Sequence, residues 1–172
     1  TSFDVASLTK ILFTTNMYMR MIDENLIQLN DAVSHYLPKW RTSGKDEIRI
    51  HDLLTHRSGL EPWRPLYISC DGKESARRFI ATNPLKVKLG EQRIYSDLGF
   101  IALGEIVEKI FSAEIDDIFQ SQIKTPLNLE STQFAKPIDK ENVAATSIGD
   151  IFEKSMVETD IPYVLPEKVE DF

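Results

Sequence analysis

The chain has 172 residues, 42% of them hydrophobic and 27% charged, enough for one folded domain with a packed core. Twenty basic residues against 27 acidic ones leave a net charge of −7, which argues against nucleic acid or an anionic membrane as the main partner and suits solubility. The single cysteine, Cys70, cannot form an internal disulfide, and no apolar run approaches the roughly 20 residues of a membrane span.

Residues 5–25 are predicted as a helix, because Ile11, Tyr18 and Ile22, with Leu12 and Met19 beside them, recur at helical spacing. Residues 31–37 read as a short helix or turn ended by Pro38. Ile48-Arg49-Ile50 alternates and is predicted as a very short strand. His51 to His56 forms a helical turn that stops at Ser58-Gly59. Residues 60–72, with Pro62, Pro65 and Gly72, read as a loop. An amphipathic helix follows at 73–82, stopped near Asn83-Pro84. A strong helix at 97–111 carries Leu98, Ile101, Ile106, Val107 and Ile110, and another at 114–123 carries Ile115, Ile118, Phe119 and Ile123. Residues 151–172, rich in Glu, Asp and Pro, read as an irregular acidic tail. There is little strand, and the N-terminal Thr-Ser-Phe-Asp-Val-Ala has no secretory-signal pattern. The pattern fits either a plain all-helical protein or a helical lobe whose sheet lies in other residues of a longer protein.

Ser7-Leu8-Thr9-Lys10 puts a serine and a lysine at i and i+3, on one face of a helix start. There the free amides and the helix dipole favour negative charge on the serine oxygen. A serine hydroxyl is a weak nucleophile and needs a base. Lysine fills that role only if its pKa falls from about 10.4 towards neutrality. The plainer reading is a capping serine with a surface lysine one turn on. A second copy, Ser121-Gln122-Ile123-Lys124, sits at a helix end where the dipole has the wrong sign, and shows how readily the pattern arises by chance. Tyr95-Ser96-Asp97, just before the helix at 97–111, offers a phenol that loses its proton more easily beside an ammonium group and can then shuttle it. The plainer reading is a half-buried tyrosine with Asp97 as an N-cap. Leu53 to Leu60 is a helical turn capped by glycine, with His56 in a structural role. Glu61 and Trp63, just beyond, either rim a pocket or belong to a surface loop. His35, His51 and His56 lack metal-ligand spacing with the carboxylates, so neither metal nor cofactor is expected.

Taken in order, these stretches resemble the class C β-lactamase family, with its related penicillin-binding proteins, D-amino-acid peptidases and esterases. Ala6-Ser7-Leu8-Thr9-Lys10 resembles the family's nucleophile motif, and Ile48 to Leu60 its hallmark segment. Leu89-Gly90, Tyr95-Ser96-Asp97 and Leu103-Gly104 follow its Pro-Gly…Tyr-Ser-Asn…Leu-Gly pattern, and Pro126 to Thr132 its Pro-Leu-Gly-Met-x-x-Thr. The similarity covers roughly residues 1–150. It implies an α+β serine β-lactamase/transpeptidase fold of which residues 1–150 form the helical lobe, with most of the antiparallel sheet missing and 151–172 leading towards it. It further implies an acyl-enzyme mechanism on an amide, ester or β-lactam carbonyl, with Ser7 as nucleophile and Lys10 and Tyr95 managing protons. Asp97, Glu61 and Trp63 would meet the substrate. An extracytoplasmic location is common in the family.

Three departures stand out. Asp97 replaces the usual asparagine, Leu89 replaces a proline, and the family's third motif, Lys or His followed by Ser/Thr and Gly, is absent. Lys124-Thr125-Pro126 has proline where glycine is needed for close backbone approach. The chain alone is therefore expected to turn over no substrate, and its uncovered sheet-facing surface to invite a homodimer or another chain. The alternative is a non-catalytic binding or structural protein that keeps the fold.

Overall fold

The computed structural model describes residues 1–134, 142–146, 151, 154 and 155. The opening helix forms, but not as one uniform α-helix. It starts as a 3-10 turn at Ala6–Leu8, widens into a π-helical turn over Lys10–Thr15 and settles into α1 at Asn16–Asp23. Thr15 Oγ1 donates to the Lys10 carbonyl (2.8 Å) and Asn16 Nδ2 to that of Ile11 (2.8 Å). Phe13, Met17 and Met21, four residues apart, are buried along one side together with Tyr18. The Tyr18 hydroxyl donates to the Leu103 carbonyl (3.1 Å) and pins this helix to the centre of the fold. Leu8, Ile11, Leu12 and Met19 remain exposed.

Helix α2 (Val33–Tyr36) runs straight into a 3-10 turn, Pro38–Ser43, that the sequence pattern missed. Pro38 ends the first element and starts the second, since its fixed φ suits a first helical turn where no N–H is required. That turn buries Trp40. Lys45, also buried, lies 5.3 Å over the Trp40 ring and donates to the carbonyls of Ile80 (2.6 Å) and Ala81 (2.9 Å). Burial pushes its pKa down to about 8.

Ile48-Arg49-Ile50 is not a strand. Arg49 makes one isolated antiparallel bridge with Ala32, and Ile50 already opens α3 (Ile50–Leu54). No strand occurs among the described residues; Ser2 and Val143 form the other isolated bridge. The expected loop at 60–72 contains a short helix, α4 (Leu66–Ser69), whose Ile68 is buried. The expected helices at 73–82 and 97–111 form as α5 (Lys73–Thr82) and α6 (Asp97–Phe111). Helix α6 buries Leu98, Ala102, Leu103, Ile106 and Val107 and is the centre of the core. Helix α7 (Ile115–Phe119) continues as a π-helical turn, Gln120–Lys124. Phe13, Phe119 and Phe134 meet edge to face and close one side of the core. The expected tail at 151–172 falls outside the described residues apart from Ile151, Lys154 and Ser155. No helix among the described residues is long and apolar enough to cross a membrane.

The segment after α3 is hooked onto residues 86–96. The Gly90 N–H donates to the Arg57 carbonyl (2.9 Å) and the Lys86 N–H to that of Gly59 (2.8 Å). Gly59 has φ +80°, and a Cβ there would lie 2.3 Å from the Val87 carbonyl oxygen. Gly59→Ala combines left-handed strain with a backbone clash, so a loss of about 3 kcal/mol in stability is expected. Urea denaturation measures it; a loss below about 1 kcal/mol would mean that residues 86–90 shift aside freely.

Candidate active site

Four side chains that the sequence singled out converge: Ser7, Lys10, Tyr95 and Asp97. Ser7 lies in the 3-10 turn that opens the first helix, behind Ala6, whose φ of +42° is a left-handed conformation unusual for a residue with a Cβ. The Ala6 N–H donates to Asp4 Oδ1 (2.8 Å), and the Leu8 N–H to the Val5 carbonyl (2.9 Å). These bonds hold the bend that carries Ser7. Lys10, one tight turn on, donates from Nζ to Ser7 Oγ at 3.0 Å.

Asp97 is the first residue of α6. The N-cap is its neighbour Ser96, whose Oγ accepts from the Gly99 N–H (3.2 Å) and donates to the Glu61 carbonyl (2.7 Å). This corrects the expectation that Asp97 caps the helix, and it leaves the Asp97 carboxylate free to reach Lys10. Lys10 Nζ lies 2.6 Å from Asp97 Oδ1, 4.9 Å from the centre of the Tyr95 ring and 5.7 Å from that of Phe100. The ammonium thus rests on two aromatic faces with a carboxylate at its side.

The electrostatics separate the two proton-handling candidates. Burial alone would push the Lys10 pKa down, but hydrogen bonds and charge from Asp97 and Tyr95 outweigh it and leave the pKa above the ordinary lysine value. These partners favour the charged form of Lys10. Tyr95 moves the other way. Hydrogen bonds to its oxygen, first from Ser7 and then from Lys10, hold the phenol below its ordinary pKa. Lys10 donates to Ser7 Oγ, and Ser7 lies near enough to the Tyr95 oxygen to help hold the phenol down.

Ser7, Lys10 and Asp97 border a cleft of about 470 Å³ walled by Phe13, Phe100 and Phe134. Tyr95, Glu61 and Trp63 are not among the residues that line it. Glu61 instead accepts from Asn83 Nδ2 (2.6 Å) and pairs with Arg64 (2.8 Å), and its carbonyl holds Ser96, so it braces the turn before α6. The twin motif is idle: Ser121 Oγ donates to the carbonyls of Asp117 (2.8 Å) and Ile118 (3.3 Å), as an ordinary helix serine does. Phe100, not singled out from the sequence, carries a signal in hindsight. It stands three residues after Asp97 on α6, on the side turned to Lys10.

A family model described as Beta-lactamase matches residues 1–161. The chain belongs to the beta-lactamase family. A "Putative D-alanyl-D-alanine carboxypeptidase" from Salmonella schwarzengrund is 32% identical over 165 residues, covering 86% of this chain and 38% of that protein. A class C beta-lactamase structure superposes with a TM-score of 0.73 at 25% identity, over 83% of this chain and 39% of its own. EstCE1, a hydrolase with promiscuous acyltransferase activity, gives a TM-score of 0.69 at 28% identity, over 83% and 42% of the two chains. The chain spans 38% of the length of the curated relatives it matches. It is thus a serine-hydrolase-like domain of the beta-lactamase family, carrying the helical part of the β-lactamase/transpeptidase fold.

Proposed function

We propose that residues 1–150 are the nucleophile-bearing helical lobe of a serine hydrolase or acyltransferase that works through an acyl-enzyme. The observation that carries this reading is the cluster in which Lys10 donates to Ser7 Oγ, pairs with Asp97 and sits against the Tyr95 ring. Ser7 Oγ attacks a carbonyl carbon of an amide, ester or β-lactam, and its proton passes to the Tyr95 oxygen. Tyr95 then returns that proton to the leaving group. Lys10 stays protonated throughout, steadying the phenolate beside it. The Ser7 backbone amide supplies one oxyanion donor, and a strand outside these residues supplies the second. Glu61 acts through the turn it braces.

The rest of the parent protein covers the exposed side of the opening helix, where Leu8, Ile11, Leu12 and Met19 stand. Relatives more than twice as long support that choice over a homodimer. A carboxylate at Asp97 accepts hydrogen bonds but donates none, which favours esters and peptides over ligands needing an amide donor there. The same residue favours the second reading, a non-catalytic relative, because it neutralises much of the Lys10 charge.

The test is to label the full-length parent with a fluorophosphonate and a penicillin probe and map the adduct. An adduct on Ser7 is expected from at least one probe; labelling at another serine, or none with either, refutes the nucleophile assignment. The 172-residue chain by itself is expected to show no Ser7-dependent ester hydrolysis, and turnover there would make the lobe self-sufficient.

A further inference from the structure

His56 lies outside the proposed proton path, yet three contacts tie it to the residues around Tyr95. Its carbonyl accepts from the Ile94 N–H (2.9 Å), on one side of the tyrosine. Its ring Nδ1 accepts from the Ser96 N–H (3.0 Å), on the other side. The ring face lies under Tyr95, with centroids 4.5 Å apart and planes 34° apart, and against Phe100 at 5.1 Å. The residue is buried and holds φ at +60°, a left-handed conformation that strains a residue with a Cβ. The fold keeps that strain because straightening the backbone would swing the ring or the carbonyl out of the clamp.

We infer that His56 is the positioning residue for Tyr95, gripping the backbone on both sides of it and supporting its ring from below. The inference rests on the proton role proposed for Tyr95. The clamp needs a neutral imidazole with its hydrogen on Nε2, because a protonated Nδ1 cannot accept from Ser96. Burial first, then the nearby charges of Arg93 and Lys10, hold the His56 pKa below its ordinary value, with Asp97 opposing. The clamp therefore persists at neutral pH and opens only on the acid side.

The first measurement needs no variant. Nitrogen NMR of His56 in the full-length protein is expected to show the Nε2–H tautomer at pH 7, and an Nδ1–H tautomer would overturn the inference. The second is ester hydrolysis and amide exchange in His56→Ala and His56→Asn. Asparagine tolerates the left-handed backbone and places an acceptor near the position of Nδ1. Alanine is expected to lower kcat about 100-fold at nearly constant KM, the cost of a misplaced proton acceptor, and to unprotect the Ser96 amide. Asparagine is expected to restore that protection and most of kcat. Loss of activity in both variants with the Ser96 amide still protected would overturn the clamp. A clamp that behaves as described in a protein where Tyr95→Phe keeps full activity would leave His56 in place and remove the proton role of Tyr95.

Discussion

Ser7→Ala is expected to lower the esterase or peptidase kcat/KM of the full-length protein by about 10⁶-fold, the loss seen when the nucleophile of a cooperating set is removed. Lys10, Tyr95 and Asp97 have no task without an oxygen to deprotonate, so removing any second member from the Ser7→Ala background should cost almost nothing more. The substitution should leave stability nearly unchanged. Ser7 is itself exposed, and its side chain bonds the half-buried Lys10. Steady-state kinetics with a chromogenic ester and a thermal melt check both halves. A Ser7→Ala protein that retains a tenth of the activity would show that another residue attacks the carbonyl.

Tyr95→Phe is expected to cost about 10²–10⁴-fold in kcat, the usual worth of a positioned proton acceptor. The pH dependence gives the sharper test. In the proposed mechanism the active form has Tyr95 deprotonated and Lys10 protonated. The Tyr95 pKa is depressed and that of Lys10 raised, so a window opens between them. The rate should climb as pH rises through the lowered tyrosine pKa and fall only where Lys10 finally loses its proton. In Tyr95→Phe the rising limb should vanish. If that limb survives in Tyr95→Phe and disappears in Lys10→Met, the lysine is the base and the assignment made from the Lys10–Asp97 pair is wrong. Asp97 fixes the upper edge of the window, since its carboxylate 2.6 Å from Nζ is the strongest influence favouring the ammonium.

Much of the fold could be read from local pattern. The helices at Lys73–Thr82 and Asp97–Phe111 were legible because an amphipathic or apolar repeat is a signal within one element, with Asn83-Pro84 ending the first. The turn at Pro38–Ser43 and the helix at Leu66–Ser69 were not, because each is too short to show a period and is held by burial of Trp40 and Ile68. Ile48-Arg49-Ile50 misled for the same reason. Three residues alternate by chance, and a strand needs a partner strand, which only Ala32 supplies, at a single bridge.

The candidate site divides along the same line. Sequence alone determined which chemical groups are available: a serine and a lysine one turn apart, a tyrosine and a carboxylate. It also determined their order along the chain, which marked them off from the twin at Ser121. Only the tertiary structure decided their charge. Lys10 and Asp97 are 87 positions apart, and no local pattern says that they form an ion pair, or that Ser96 takes over the cap and so frees Asp97. It alone decided, too, that His56, read from the sequence as a structural residue, reaches across 40 positions to hold both sides of Tyr95. The physical reason is that residue type sets what a group can do, whereas its pKa and its partners depend on distances of a few ångströms that exist only once distant segments have packed.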